Sequence, residues 1–242
     1  MFIPYLGEKS KYANFIIPHI PQNINKYVEP FGGMFGIFFS LELTQFRNVE
    51  FVYNDSNYLN YNLFNQLVKS EFLSELEKVK ASEDKFNKYK LKILNNNYSD
   101  FELAIAWLMI LCCSASQYDL LSNDYKGDSE FEVFKMKLKL GKNRLSKITE
   151  IHNQDFTQII QSKDSKDTFF YVDPPYYNRE HYYVNHNFNQ NSHYQLATLL
   201  NSIKGRFALS YFDFPELKDW YQGCKIIKQR TLMGTELLIM NY

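Results

Sequence analysis

Residues 168–177 read TFFYVDPPYY, an apolar, β-branched and aromatic run that ends in an acid, two prolines and a tyrosine. The run predicts a buried strand that delivers Asp173 and Tyr176 to its carboxyl end, where open α/β sheets place their chemistry. Proline restrains itself and the residue before it, so Asp173 and Pro174 are expected to be extended. The Asp173 carboxylate, the Pro174 carbonyl and the Tyr176 ring would then suit a planar group with an amino nitrogen, such as an exposed adenine. The plainer interpretation is a strand that ends in a proline-rich turn.

A second strand and turn lie near the start of the chain. Residues 26–29 read KYVE, and residues 30–36, PFGGMFG, separate them from the apolar stretch 37–43. The pattern predicts strand, glycine turn and helix, with the helix at 34–43. This geometry suits a cofactor, because glycines let the backbone turn sharply near a ligand and a helix N-terminus offers free N–H groups.

The strand that follows ends at an acid. Residues 51–53 are apolar and Asn54-Asp55 come directly after them. An acid in this position can accept hydrogen bonds from ribose hydroxyls, as in dinucleotide-binding folds. Asp55 could instead cap a helix that starts near Asn57, and spacing leaves both interpretations open.

The 242 residues divide into two kinds of segment. Residues 1–60 and 150–242 alternate strands and helices and predict one α/β catalytic domain, whereas 61–149 predict an inserted helical region with DNA target recognition. Strands are predicted at 27–29, 51–53, 149–152, 168–173, 207–211, 225–229 and 236–241. Helices are predicted at 34–43, 57–78, 101–115, 155–161, 193–203 and 215–221. Residues 178–191 predict a mobile loop able to close over a base.

The motifs occur in a fixed order along nearly the whole chain. They are Pro4-Tyr5-Leu6-Gly7-Glu8-Lys9, the strand and turn 27–33, Asn54-Asp55-Ser56-Asn57, His152-Asn153-Gln154-Asp155-Phe156, Asp173-Pro174-Pro175-Tyr176, and the closing segments 209–211 and 236–242. In order and spacing they resemble the Dam-like DNA adenine methyltransferases that use S-adenosylmethionine. The resemblance is most specific at the Asp-Pro-Pro-Tyr tetrad.

The resemblance implies a fold, an activity and a set of site residues. The fold is a Rossmann-like methyltransferase sheet with helices on both faces and a small, mostly helical inserted recognition lobe. The activity is site-specific transfer of a methyl group from S-adenosylmethionine to the exocyclic amino group of a flipped adenine. The implied catalytic residues are Asp173, Pro174, Pro175 and Tyr176. The implied cofactor-binding residues are Tyr5, Lys9, Glu29, Pro30, Phe31, Gly32, Gly33, Asp55, Asp155, Phe156 and Asp173. The implied partners are double-stranded DNA and a cognate restriction endonuclease, and the chain is expected to be a monomer.

One residue departs from the family pattern. Family members commonly carry a further glycine where this chain has Phe35, and Gly36 follows one position later. A bulky side chain there would narrow the methionine pocket or shift the turn. The departure motivates a catalytically impaired nucleic-acid-binding relative as an alternative function. An RNA adenine methyltransferase is a second alternative, because it would use the same tetrad.

The charge is balanced, with 27 basic and 27 acidic residues. A protein that holds DNA phosphates therefore needs a local basic face, and the best stretch is 126–147. The predicted DNA-binding residues are Gln117, Asn123, Lys126, Lys137, Lys139, Lys142 and Arg144. A solvated helix or hairpin face is the plainer interpretation of any one of these lysines.

Cysteines and histidines limit the chemistry. Three cysteines, Cys112, Cys113 and Cys224, form no disulfide framework and indicate a reducing, cytoplasmic compartment. No charged leader with a long apolar run opens the sequence, and the apolar stretch 103–113 is too short to span a bilayer. The spacing of His181, His186 and His193 matches no zinc pattern, so no metal site is expected.

Overall fold

The computed structural model describes residues 5, 7–95, 98–116, 124–179, 188–231 and 234–242. Within these residues the strands form one seven-stranded sheet in the order β3-β2-β1-β4-β5-β7-β6. The strands are β1 Lys26–Glu29, β2 Glu50–Asn54, β3 Ile148–His152, β4 Thr168–Val172, β5 Arg206–Phe212, β6 Lys225–Thr231 and β7 Gly234–Met240. Each predicted strand is confirmed to within two residues at either end.

Strands β1 to β5 pair in parallel, whereas β7 runs antiparallel to both β5 and β6. From β1 the chain proceeds outward to β2 and β3 on one side, and from β4 to β5 on the other. The boundary between β1 and β4 is therefore the topological switch point, where α/β sheets bind ligands. All five residues of β4 are buried, as expected of a central parallel strand covered on both faces. The predicted Rossmann-like α/β fold is confirmed.

Alternate strand residues feed two hydrophobic clusters, one on each face of the sheet. Tyr27, Phe169 and Tyr171 point into one cluster, and Phe170 and Val172 point into the other. The described helices are α1 Ala13–Ile16, α2 Tyr58–Leu67, α3 Ser70–Lys78, α4 Glu83–Leu94, α5 Asp100–Cys113, α6 Ser129–Leu145, α7 Phe156–Lys163, α8 Gln190–Leu200 and α9 Leu217–Trp220. Helices α2 to α6 cover the first face and α7 to α9 the second, so helices lie on both faces.

The predicted helix at 34–43 is wrong. Only two short 3-10 helices occur there, Phe38–Ser40 and Leu43–Phe46. Phe35 has a φ of 54°, in the left-handed region, which interrupts a right-handed helix at its second residue. The turn therefore continues as irregular backbone that buries aromatic rings beneath the glycines.

The predicted helix at 57–78 is divided into α2 and α3. The backbone of Lys69 is extended, and α3 starts in a new direction at the next residue. The change of direction buries Phe72 and Leu76 of α3, which a continuous α2 would not place on the same face. The helices predicted at 101–115, 155–161, 193–203 and 215–221 are confirmed as α5, α7, α8 and α9, with shifts of up to three residues at their ends.

Helix α5 is apolar on all sides and forms the centre of the first cluster. Eleven of its fourteen residues are buried, and a capping box of Ser99 and Glu102 fixes its start. The same cluster contains residues of α2 to α6 and of the sheet. The division into a catalytic domain and a recognition region at 61–149 stays a prediction. Within the described residues no helix is long and apolar enough to cross a membrane. Residues 180–187 of the predicted mobile loop lie outside the described residues.

Candidate active site

A cleft opens at the carboxyl ends of β1, β2 and β4. Its empty volume, including the part open to solvent, is about 770 Å³. The predicted residues that line it are Tyr5, Lys9, Glu29, Phe31, Gly32, Gly33, Asp55, Asp173 and Pro175. Residues that the sequence did not single out also line it, among them Glu8, Gly36, Ile37, Tyr171 and Phe188. Pro30, Asp155, Phe156, Pro174 and Tyr176 do not line it and lie around it.

The glycine turn after β1 packs against the end of β2. A Cβ on Gly32 would lie 2.3 Å from the Tyr53 ring and 2.9 Å from the Asn54 carbonyl oxygen. Gly33 has a φ of 48°, a value that residues with a side chain rarely adopt. Tyr53 closes the turn by donating its hydroxyl hydrogen bond to the Gly33 carbonyl at 2.9 Å. Gly32 therefore leaves no room for a Cβ, and the φ of Gly33 favours glycine.

Phe35 does not line the cleft. Its ring is buried in the first cluster, stacked on Phe38 with centroids 4.4 Å apart and edge-on to Tyr53 at 5.2 Å. The left-handed φ explains why a glycine suits this position in the family pattern, and the buried ring offsets the strain. The expected narrowing of the methionine pocket by this side chain is therefore wrong.

Asp55 joins the glycine turn to the start of α2. Its Oδ2 accepts hydrogen bonds from the Gly33 N–H at 2.8 Å and from Asn60 Nδ2 at 3.1 Å. Its Oδ1 accepts from the Asn57 N–H at 2.8 Å. The N-cap of α2 is Asn57, whose side chain accepts from the Leu59 N–H, so the interpretation of Asp55 as the helix cap is wrong. Burial raises the pKa of Asp55, and these three donors oppose the rise.

Asn60 links the cleft to helix α5. Its side-chain amide donates to the Tyr5 hydroxyl at 3.0 Å and to Asp55, and its oxygen accepts from the Trp107 indole N–H at 3.0 Å. Asn60 is fully buried and all its side-chain atoms have partners. It therefore fixes two cleft residues, Tyr5 and Asp55, against the core.

Glu29 is a buried carboxylate at the end of β1. Its Oε1 accepts hydrogen bonds from the Tyr27 hydroxyl at 2.6 Å and from the Phe38 N–H at 3.2 Å. Burial raises the pKa of Glu29 well above its ordinary value, and the two donors only partly oppose this. Among the described residues no cationic side chain lies within ion-pair distance of it. A positively charged ligand in the cleft would supply the missing partner.

The tetrad that follows β4 places Asp173 at the cleft, beside Lys9. Lys9 Nζ lies 2.8 Å from Asp173 Oδ1, with the distance of an ion pair but not the alignment of a hydrogen bond. The same Nζ lies 4.7 Å from the centroid of the Tyr176 ring. Burial raises the pKa of Asp173, and Lys9 opposes the rise. Burial lowers the pKa of Lys9, but the Asp173 and Glu236 carboxylates outweigh it, so the net pKa is raised.

The Tyr176 ring is held from behind by aromatic residues of β5. Phe212 packs edge-on against it at 4.7 Å and Tyr211 lies 5.6 Å away. The Tyr176 hydroxyl donates a hydrogen bond to Glu236. The sequence did not single out Glu236 as a site residue. The available signal in the sequence was a single charged side chain at the start of the apolar run 236–240.

Three aromatic rings stand beside the cleft near β3. Phe31 stacks on Phe156 with centroids 5.4 Å apart, and Phe188 contacts both rings at 5.5 Å. Asp155 is exposed and is the N-cap of α7, where its Oδ1 accepts from the Thr157 N–H at 2.8 Å. Phe31 and Phe156 stack on each other, so they form a continuous aromatic surface, and one oxygen of Asp155 caps a helix. The adenine-binding role of this element stays a prediction.

The predicted DNA-binding residues are scattered along α6 and its approach. Lys126 pairs with Glu130 at 2.8 Å, and Lys139 lies 3.9 Å from Glu77. Lys137 and Lys142 are exposed. Arg144 donates to the Leu41 carbonyl at 2.8 Å and is half-buried, so it supports the fold. Gln117 and Asn123 lie outside the described residues.

The charge of the cleft suits S-adenosylmethionine. Four carboxylates line it, from Glu8, Glu29, Asp55 and Asp173, against the amine of Lys9. A ligand with a sulfonium and an ammonium group would balance this excess of negative charge. Glycines that admit no Cβ, an acid beyond β2 and a buried acid without a cation fit the methionine and ribose parts of such a ligand.

The sheet order, the glycine turn, the acid beyond β2 and the tetrad at the end of β4 define an S-adenosylmethionine-dependent methyltransferase. The chain belongs to the D12 class of N6 adenine-specific DNA methyltransferases, whose family model matches residues 5–235. It is therefore a DNA adenine methyltransferase, its methyl donor is S-adenosylmethionine and its substrate is DNA. The family assignment decides against the alternatives of an RNA enzyme and a non-catalytic relative.

Two further comparisons are less informative. A search of curated proteins found no match. The solved structure of the rRNA methyltransferase AviRa from Streptomyces viridochromogenes is similar to 98% of this chain and 86% of its own, with 10% identity and a TM-score of 0.43.

Proposed function

We propose that Asp173, Pro174, Pro175 and Tyr176 form the site at which the target adenine is methylated. One observation carries the proposal: the amine of Lys9 lies 2.8 Å from Asp173 Oδ1 and 4.7 Å from the Tyr176 ring centroid. A nitrogen thus already occupies the carboxylate and the ring face that the adenine would use.

The reaction requires a better nucleophile than free adenine provides. The lone pair of the exocyclic nitrogen is delocalised into the ring, so acceptors must draw it back onto the nitrogen. The Asp173 carboxylate and the Pro174 carbonyl would do so by accepting hydrogen bonds from the two N–H groups of the amino nitrogen. Preorganised groups of this kind contribute roughly 3 kcal/mol each to the transition state. S-adenosylmethionine supplies an electrophilic methyl group on positively charged sulfur.

Lys9 keeps the empty site ready. Without a base, its ammonium opposes the rise in the pKa of Asp173 that burial causes. When the adenine enters, Lys9 must leave both Asp173 and the Tyr176 face. Rotating the base out of the duplex costs a few kcal/mol, and stacking on Tyr176 would offset roughly 1–3 kcal/mol of it.

The cofactor residues have separate roles in the proposal. Asp55 accepts hydrogen bonds from the ribose hydroxyls, and Glu29 faces the ammonium end of the methionine. Gly32 and Gly33 bring the backbone close to the methionine, with Pro30 ordering the turn and Tyr5 covering Gly33. Phe31, Phe156 and Phe188 would together provide an aromatic surface for the adenine of the cofactor, and Asp155 would lie at its edge. Lys9 and Asp173 close the end of the cleft where methyl transfer takes place.

DNA recognition is proposed for the connection between α5 and α6. Helix α6 ends two residues before β3 begins, so its C-terminal end lies near the amino edge of the sheet. Trp107 of α5 contacts Asn60 beside the cleft. Lys126 and the N-terminal end of α6 would therefore lie on the side of the cleft. Lys137 and Lys139 would hold phosphates further along the same helix.

The enzyme is further proposed to be a cytoplasmic monomer with a cognate restriction endonuclease. Three free cysteines support a reducing compartment, the cytoplasm. A cognate restriction endonuclease would be recognised by its failure to cut DNA that this enzyme has methylated.

The deciding experiment measures transfer of a labelled methyl group to duplex DNA. Asp173→Ala and Asp173→Asn should lose more than about a hundredfold in rate, because one of two preorganised acceptors is lost or weakened. Calorimetric titration of both variants with S-adenosylmethionine should still show binding. Substantial turnover by Asp173→Ala would overturn the assignment of the tetrad.

A further inference from the structure

A second buried carboxylate touches the proposed catalytic tetrad. Glu236 belongs to β7, and its exposed fraction is 1%. It pairs in register with Phe212 at the end of β5, so the antiparallel return of β7 brings it to the carboxyl edge of the parallel strands. Its Oε1 accepts the hydrogen bond of the Tyr176 hydroxyl. A glutamate is almost never this deeply buried without a specific partner.

Lys9 forms an ion pair with one acid and lies over a tyrosine ring that binds a second acid. It pairs with Asp173 and lies over the Tyr176 ring, whose hydroxyl is bound to Glu236. If the adenine amino group takes its place on Asp173, Lys9 becomes a buried cation without that partner. Glu236 lies on the other side of the Tyr176 hydroxyl from Lys9, and its charge already raises the pKa of Lys9. An unpaired buried ammonium would otherwise oppose entry of the base.

We infer that Glu236 is a positioning residue for methyl transfer: it fixes the Tyr176 ring through its hydroxyl and holds Lys9 once adenine occupies Asp173. The inference rests on the roles proposed above for Asp173 and Tyr176. Burial raises the pKa of Glu236, and Lys9 and the Tyr176 hydroxyl oppose the rise.

The test uses Glu236→Gln, Glu236→Ala, Tyr176→Phe and the double variant Glu236→Gln/Tyr176→Phe in the full chain. Glu236→Gln keeps an acceptor for the hydroxyl and removes the charge, so kcat should fall about tenfold or more while the affinity for S-adenosylmethionine changes less than about twofold. The double variant should be no slower than about twice the worse single variant, because both changes break one unit. A 2-aminopurine at the target position should brighten less with Glu236→Gln than with the wild type.

The matched control is Glu150→Gln. Glu150 is also an ion-paired strand carboxylate, bound to Lys163, but it lies outside the cleft. Its variant should keep the wild-type kcat.

The inference is overturned if Glu236→Gln and Glu236→Ala both keep kcat within about twofold of wild type, or if the Glu236 and Tyr176 effects multiply. If Glu236→Ala does not fold, Glu236→Gln decides alone. Turnover by Asp173→Ala would refute the tetrad itself, whereas inactive Asp173→Ala with fully active Glu236→Gln would refute only the role of Glu236.

Discussion

The backbone N–H of Gly33 donates a 2.8 Å hydrogen bond to Asp55 Oδ2, joining the turn after β1 to the acid after β2. The two halves of the proposed cofactor site are thus one hydrogen-bonded unit before any ligand arrives. A change at Asp55 should therefore affect both the ribose contact and the geometry of the turn.

Asp55→Ala should weaken S-adenosylmethionine binding by roughly 1.5–3 kcal/mol, because a charged acceptor is lost. Calorimetry gives the dissociation constant, and a melting curve of the same preparation gives stability. Asn57→Ala, which removes the cap of α2, should instead lower stability by about 1 kcal/mol. Unchanged affinity in Asp55→Ala would remove Asp55 from the ribose site.

Replacement of Phe35 separates strain from packing. Phe35→Ala and Phe35→Gly should each destabilise the protein by about 3–5 kcal/mol, less any strain that is released, since both lose the buried ring. At most positions glycine is less stable than alanine, but here the φ of 54° should make Phe35→Gly the more stable of the two by roughly 1 kcal/mol. Denaturant unfolding of both variants measures the difference. A more stable Phe35→Ala would contradict this account of the turn.

The raised carboxyl pKa values predict a pH-dependent response to the cofactor. A carboxyl group whose pKa is raised in the folded state binds more protons there, so its contribution to stability falls as the pH rises through the folded value. Glu29, Asp55, Asp173 and Glu236 are all raised from ordinary values of 3.8 or 4.5. A cationic ligand offsets this loss, so the Tm increase caused by S-adenosylmethionine should grow as the pH rises above the ordinary carboxyl pKa values.

The control for this prediction is Glu29→Gln, which keeps an acceptor for the Tyr27 hydroxyl. It should raise the stability of the ligand-free protein above the ordinary glutamate pKa and flatten the pH dependence of the ligand effect. A ligand-induced Tm increase that shrinks as the pH rises would show that these carboxylates do not face the positive charge.

Asp155 can be tested for a second role beside the helix cap. Asp155→Ala should cost about 1 kcal/mol of stability through loss of the α7 N-cap, and Asp155→Ser should restore most of it. If Asp155 also contacts the cofactor adenine, both variants bind S-adenosylmethionine more weakly than wild type. If Asp155→Ser binds S-adenosylmethionine with wild-type affinity, Asp155 serves only as the N-cap of α7.

The proposed DNA face predicts an order among the lysines. Lys126 precedes α6, whereas Lys142 lies in its last turn, near the amino edge of the sheet. Lys126→Ala should therefore lower the slope of log affinity against log salt by about 0.9, and Lys142→Ala should lower it much less. Salt titrations of both variants on one target duplex measure the slopes. Equal slopes would place the DNA face along the whole helix.

Local patterns were enough to predict much of the fold and site. The strand that ends before Asp173 is buried on both faces. Its continuous apolar residues were therefore enough to predict a central strand with Asp173 at its carboxyl end. The glycine turn at 32 and 33 was predictable from its place directly after a strand; in the structure a Cβ on Gly32 would overlap the Tyr53 ring, and Gly33 has a left-handed φ.

The rest depends on long-range geometry. Glu236 reaches the site because β7 returns antiparallel beside β5, 60 residues along the chain from Tyr176. The left-handed φ of Phe35, which ended the predicted helix, is held by rings from β2 and α2 that local sequence does not reveal. Asp155 fits both a helix cap and a ligand contact, and its spacing alone could not separate them.

The contact of Trp107 with Asn60 gives the enzyme an internal optical probe. The chain has two tryptophans, and only Trp107 is hydrogen-bonded to the residue that fixes Asp55 and Tyr5. The second, Trp220, packs beside Tyr177, next to the tetrad. Single-tryptophan variants, Trp107→Phe and Trp220→Phe, would thus emit from opposite sides of the reaction centre. Stopped-flow fluorescence could then time cofactor loading and base capture as separate events in one unlabelled protein.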